Sequence, residues 1–118
     1  MLAKKPYPMK ILLIVMLLCP LSSWGHSKLV TTEPANGVVL DTPPKLVTLN
    51  FNKPIEPKLH RAEVWSGGVW RVLPSEVGGN VLTIDLKESG SLSEYKIRWS
   101  VMSPDGHRQR GLLRFFVK

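Results

Sequence analysis

Beyond residue 25, apolar residues recur at every second position along most of the chain. Val47, Leu49 and Phe51 alternate with Thr48 and Asn50, and Leu82, Ile84 and Leu86 alternate with Thr83 and Asp85. Tyr95, Ile97, Trp99 and Val101 alternate with Lys96, Arg98 and Ser100. A period of two puts each apolar row on one face of a β-strand. No segment sustains the 3.6-residue period of an amphipathic helix. β-Branched and aromatic residues predict further strands at 29–32, 62–65 and 69–73, and a last one at 113–117, about seven in all. Proline-, glycine- and asparagine-rich stretches at 33–37, 42–44, 66–68, 78–80, 89–91 and 104–106 supply the turns between them. Short strands at this spacing predict an all-β fold, a Greek-key β-sandwich of immunoglobulin type with Trp99 at the centre of its core.

The first 25 residues have a different pattern. Lys4, Lys5 and Lys10 precede the apolar run of residues 11–18, and Pro20 then breaks it ahead of a short polar segment. This is the order of a cleaved secretory signal peptide. Eight to nine apolar residues at about 1.5 Å each fall short of the ~30 Å of a bilayer core, so a cleaved segment is expected rather than a permanent transmembrane anchor. Ser23 and Gly25 provide the small residues that signal peptidase needs, predicting a cut that leaves His26 first. A cut after Ser27, using Gly25 and Ser27, is the rival. The chain therefore divides into a leader, 1–25, and one domain, 26–118, exported to the periplasm.

Composition sharpens this division. The formal charge of +7 falls to +4 once the three leader lysines are set aside. That excess is dispersed along the chain, with no basic helix or RNA-binding signature, so no nucleic-acid partner is expected. The single cysteine, Cys19, lies in the leader, and Leu18 before it is not the small residue that lipid attachment wants. The domain thus carries no disulfide, and a monomer is expected.

No phosphate-cradling loop, nucleophile elbow or HExxH motif is present, which leaves three histidines as candidates for chemistry. An amino-terminal His26 offers its α-amine and ring Nδ1 to one ion in a six-membered chelate. Nitrogen donors in a tetragonal array point to copper(II), with zinc as the alternative. Asp105 and His107 flank Gly106; in an extended stretch, residues two apart share a face, so carboxylate and imidazole can converge. The same Asp-Gly pair also reads as an ordinary turn. His60, in the polar stretch 57–61, reads as an exposed surface histidine and is left out of the set.

These residues carry a resemblance. Residues 26–30 (HSKLV) and 33–37 (EPANG), then 47–51 (VTLNF), and above all 95–107 (YKIRWSVMSPDGH), resemble the CopC family of periplasmic copper-binding, copper-resistance proteins. The resemblance implies a cupredoxin-like or immunoglobulin-like sandwich that holds one copper(II) ion through His26, Asp105 and His107. It implies copper homeostasis or resistance as the role, without catalysis, and a CopD-type inner-membrane copper transporter as partner. Two departures stand out. Many members carry a glutamate near the copper where this chain has Phe51-Asn52-Lys53, and Met102 is the only methionine after the leader, so no methionine-rich copper(I) site is expected. Two other functions share these features: a terminal-histidine copper enzyme that activates oxygen, and a metal-free sandwich for adhesion or assembly. The small domain and a carboxylate filling the open coordination position weigh against the enzyme.

Overall fold

The computed structural model describes residues 27–118, so the expected leader and His26 lie outside the described residues. Every regular element among the described residues is a strand. In chain order these are β1 (Leu29–Glu33), β2 (Val39–Leu40), β3 (Leu46–Phe51), β4 (Arg61–Ser66), β5 (Val69–Leu73), β6 (Ser75–Gly78), β7 (Val81–Asp85), β8 (Glu94–Met102) and β9 (Arg108–Val117). They form two sheets, a four-stranded one in the order β1-β3-β7-β6 and a five-stranded one in the order β2-β9-β8-β4-β5.

The seven strands expected from alternation are all present, and two more join them. β2 is a two-residue strand that pairs in parallel with the end of β9, Val39 opposite Phe116. β6 pairs with β7 across the turn at Gly79 and Asn80. Neither has an alternating apolar row, which is why the count from sequence stopped at about seven.

The alternating rows meet between the sheets. Val47, Leu49 and Phe51 of β3 and Leu82 and Ile84 of β7 face Val64 of β4, Tyr95, Ile97 and Val101 of β8, and Leu113 and Phe115 of β9. Each fully buried side chain of this kind contributes about 1.5–3 kcal/mol, and the domain has no cross-link to add to that. Trp99 lies edge-on to Phe51 with ring centroids 5.5 Å apart, so the indole joins the two sheets as expected. Tyr95 stacks on Phe115 at 4.9 Å. Its buried hydroxyl donates to the Gly90 carbonyl at 3.0 Å and accepts from the Leu92 amide at 3.3 Å, so burying it costs little.

Gly111 lies opposite Trp99 in the β8–β9 ladder. A Cβ at that position would lie 2.6 Å from Cε2 and 2.9 Å from Nε1 of the indole. Glycine is therefore required there for space rather than for its φ angle.

Candidate metal site

β8 and β9 are the two longest strands, and the turn of residues 103–107 joins them. The Ser103 amide donates to the His107 carbonyl at 2.8 Å, and the Gly106 amide donates to the Ser103 carbonyl at 2.9 Å. Gly106 adopts φ 91°, a conformation that a side chain would strain. Asp105 and His107 thus meet through a tight turn, not through the extended alternation expected from sequence.

Asp105 serves two partners. Its Oδ1 accepts from the His107 amide at 3.1 Å, closing the turn, and its Oδ2 lies 3.2 Å from His107 Nδ1. The turn reading of the Asp-Gly pair holds, since the aspartate caps the backbone, and its carboxylate also meets the imidazole. The imidazole is largely exposed, 64%, whereas the carboxylate is more sheltered at 22%.

The described chain begins against this turn. Ser27 and Ser103 are the two buried polar residues among those described, each 1% exposed. The Ser27 amide donates to Ser103 Oγ at 3.1 Å, and Ser27 Oγ donates to the Pro54 carbonyl at 2.7 Å. Next along the chain, the Lys28 amide donates to Asn52 Oδ1 at 2.7 Å while the Asn52 amide donates to the Lys28 carbonyl at 2.9 Å. The Glu56 amide donates to the Met102 carbonyl at 2.8 Å, fastening the 52–56 segment to the end of β8. Five hydrogen bonds thus lock the start of the domain, the stretch after β3 and the 103–107 turn into one end of the sandwich.

Sequence reasoning missed this clamp. In the sequence Ser27 stands out as a cleavage residue and as part of the 26–30 stretch, and Asn52 as a departure from the family pattern. The contact joins two ordinary serines 76 residues apart and carries no local signal. Replacing Ser103 by alanine leaves the buried Ser27 amide without an acceptor. Ser103→Ala is expected to cost about 1–3 kcal/mol, measured as a lower urea midpoint with an unchanged denaturant slope.

His60 lies elsewhere and is more sheltered than expected. It is half-buried, with Nδ1 2.8 Å from Ser75 Oγ, a bond that ties the start of β4 to the start of β6. Among the described residues, no three His, Cys, Asp or Glu side chains gather in a group that could hold an ion. Asp105 and His107 thus form a carboxylate–imidazole pair beside the clamp, offering one type of oxygen and one type of nitrogen donor. That donor set suits copper(II) or zinc and does not suit copper(I), which prefers thiolate and thioether.

Comparison with known proteins agrees with the fold. The family model of the CopC domain matches residues 29–118. The copper transport protein CutJ of Bacillus subtilis is 27% identical over 112 residues, 91% of this chain, which spans only about a fifth (21%) of the length of CutJ. Protein YobA of Escherichia coli K12 is 30% identical over 102 residues, covering 82% of each chain. Among solved structures, CopC from Methylosinus trichosporium OB3b superposes with a TM-score of 0.69 at 26% identity, covering 79% of this chain and 94% of that one. The match to the CopC domain extends over most of the chain, including both the clamp segment after β3 and the turn with Asp105 and His107: the chain belongs to the CopC family.

Proposed function

We propose that residues 1–25 are removed on export and that the domain 26–118 binds one copper(II) ion in the periplasm. The donors are the α-amine and Nδ1 of His26, with Asp105 and His107. The role is copper buffering, storage or delivery without catalytic turnover, by a monomer, with a CopD-type membrane transporter as the exchange partner. One observation carries this reading: the Ser27 amide is bound to Ser103, two residues before Asp105. The residue peptide-bonded to Ser27 is His26, and this sequence neighbourhood supports a ligand set drawn from the start of the domain and from the turn. Similarity to the copper transport protein CutJ supports copper as the cargo.

Copper must displace protons from the amine and the imidazoles before it can bind, so affinity falls as pH falls. Intact mass of the exported protein should place His26 first. Titration with copper(II), followed by electron paramagnetic resonance, should give one nitrogen-rich tetragonal signal at about pH 7 that fades toward about pH 5 and changes in His107→Ala. A mature chain that starts at Lys28, or a signal indifferent to both pH and His107, would overturn the assignment.

A further inference from the structure

We propose that the outer face of the five-stranded sheet docks an acidic surface of a partner protein, with Arg61, Arg98, Arg108 and Arg110 forming the receiving cradle. β8 turns Tyr95, Ile97, Trp99 and Val101 inward, so Lys96, Arg98 and Ser100 point outward. The ladders set Arg61 and Glu63 of β4 beside Ser100 and Arg98, and Arg110 and Arg114 of β9 beside Ser100 and Lys96. The outer positions of these three strands hold six cations, Arg61, Lys96, Arg98, Arg108, Arg110 and Arg114, against two carboxylates, Glu63 and Glu94. That surplus equals the whole formal +4 of residues 26–118. The charge dispersed along the sequence is gathered by folding onto one face, and the remainder of the domain is balanced.

Both carboxylates on this face are already engaged. Glu63 accepts from Arg98 Nε at 2.7 Å and lies 3.4 Å from Arg61, and Glu94 pairs with Arg114. The hydrogen bond from Arg98 holds the Glu63 carboxyl below the usual carboxylate range despite its partial burial, so it stays ionised and fixes that guanidinium. Arg108 leans on the neutral Ser100 hydroxyl at 3.3 Å, and Arg110 meets no carboxylate among the described residues.

Shape and breadth identify the occupant. The arginines line an open cavity of about 390 Å³ with Ser100 between them. Arg61 and Arg110 stand on either side of Ser100, their backbones two strand spacings, about 10 Å, apart. Protruding glutamate and aspartate side chains can enter such a hollow. The rim is apolar and aromatic: exposed Trp65, Val72 and Leu112, with Arg98 stacked 4.3 Å over the Trp70 ring. Arginine and tryptophan around a charge-complementary centre are the composition of a protein interface. Arg108 directly follows His107, so a partner seated here lies beside the turn. That it would thereby meet the copper ion rests on the function proposed above; the docking itself does not.

Poly-L-glutamate is the probe, added to the full 26–118 chain and followed by amide NMR and calorimetry. Shifts should concentrate on β4, β8 and β9, and binding should weaken steeply with added salt. Arg61→Ala with Arg110→Ala should reduce affinity at least about tenfold, while Lys45→Ala with Lys58→Ala, equal in charge loss, should change it less than about twofold. Thermal melts of both double variants confirm folding, and their copper titrations should match the parent, separating this proposal from the copper reading. Equal losses in the two double variants would reduce the effect to net charge and overturn the proposal. Tighter binding to phosphatidylglycerol vesicles than to poly-L-glutamate, through the same arginines, would overturn it in favour of a membrane.

Discussion

One alanine added ahead of His26 is expected to weaken copper(II) binding at least about a hundredfold. An ion held by about 12 kcal/mol through four donors draws about 3 kcal/mol from each, or about two orders of magnitude in affinity. The extension converts the α-amine into an amide and breaks the six-membered chelate while leaving every side chain in place. The clamp makes the result interpretable, because Ser27 is held by Ser103 and Pro54 through its own amide and hydroxyl, which the extension does not touch. The extended protein should therefore melt as the parent does without copper and differ only when copper is present. Competition with a chromophoric chelator gives the affinity, and an unchanged value would remove the amine from the ligand set. A chain shortened to Lys28 should do worse, since it loses both the chelate and the serine that fastens the domain's start to the turn.

Gly111→Ala is expected to be the most damaging single-methyl change in the core, at about 3 kcal/mol or more. Overpacking ordinarily costs about 1–3 kcal/mol because neighbours can shift, but here the neighbour is a rigid indole. A Cβ would enter the Trp99 ring plane, 2.6 Å from Cε2. Trp99 cannot withdraw without giving up its contact with Phe51 in the opposite sheet. Chemical denaturation measures the loss. The double variant Trp99→Phe/Gly111→Ala should recover part of it, because the smaller ring no longer fills the space over residue 111. Absence of any recovery would place the damage in the strand backbone instead of in the indole contact.

The physical reach of sequence patterning explains what could be read in advance. Alternation revealed β3, β7 and β8 because one row of each faces the core, and the period-two row is a direct print of that burial. It gave no sign of β2, whose two residues pair with β9 only because the fold brings them together, nor of β6, a polar Ser-Glu-Val-Gly stretch held by its neighbour. Asp105 and His107 were legible as a pair, although the contact is made by a turn closed through Gly106. His26 lies outside the described residues. The Ser27–Ser103 bond spans 76 residues between two ordinary serines, a contact with no local signature. The arginine face was hidden for the opposite reason: Arg108, Arg110 and Arg114 follow a period of two, but charges on a solvent face read simply as the polar half of a strand.

Four strands end the two sheets, and each gives a further chain little to pair with. An open edge offers unpaired amides and carbonyls that invite aggregation, so soluble sandwiches interrupt them. β1 is broken by a register shift between Leu29 and Thr31, β2 is only two residues long, and β6 stops at Gly78 after four. β5 is the longest regular edge, closed by Pro74, and Arg71 at its middle stands opposite Val64 on the core side of the sheet. A second strand laid along β5 would have to bury that guanidinium. The edges of both sheets thus offer an added strand little regular backbone to pair with.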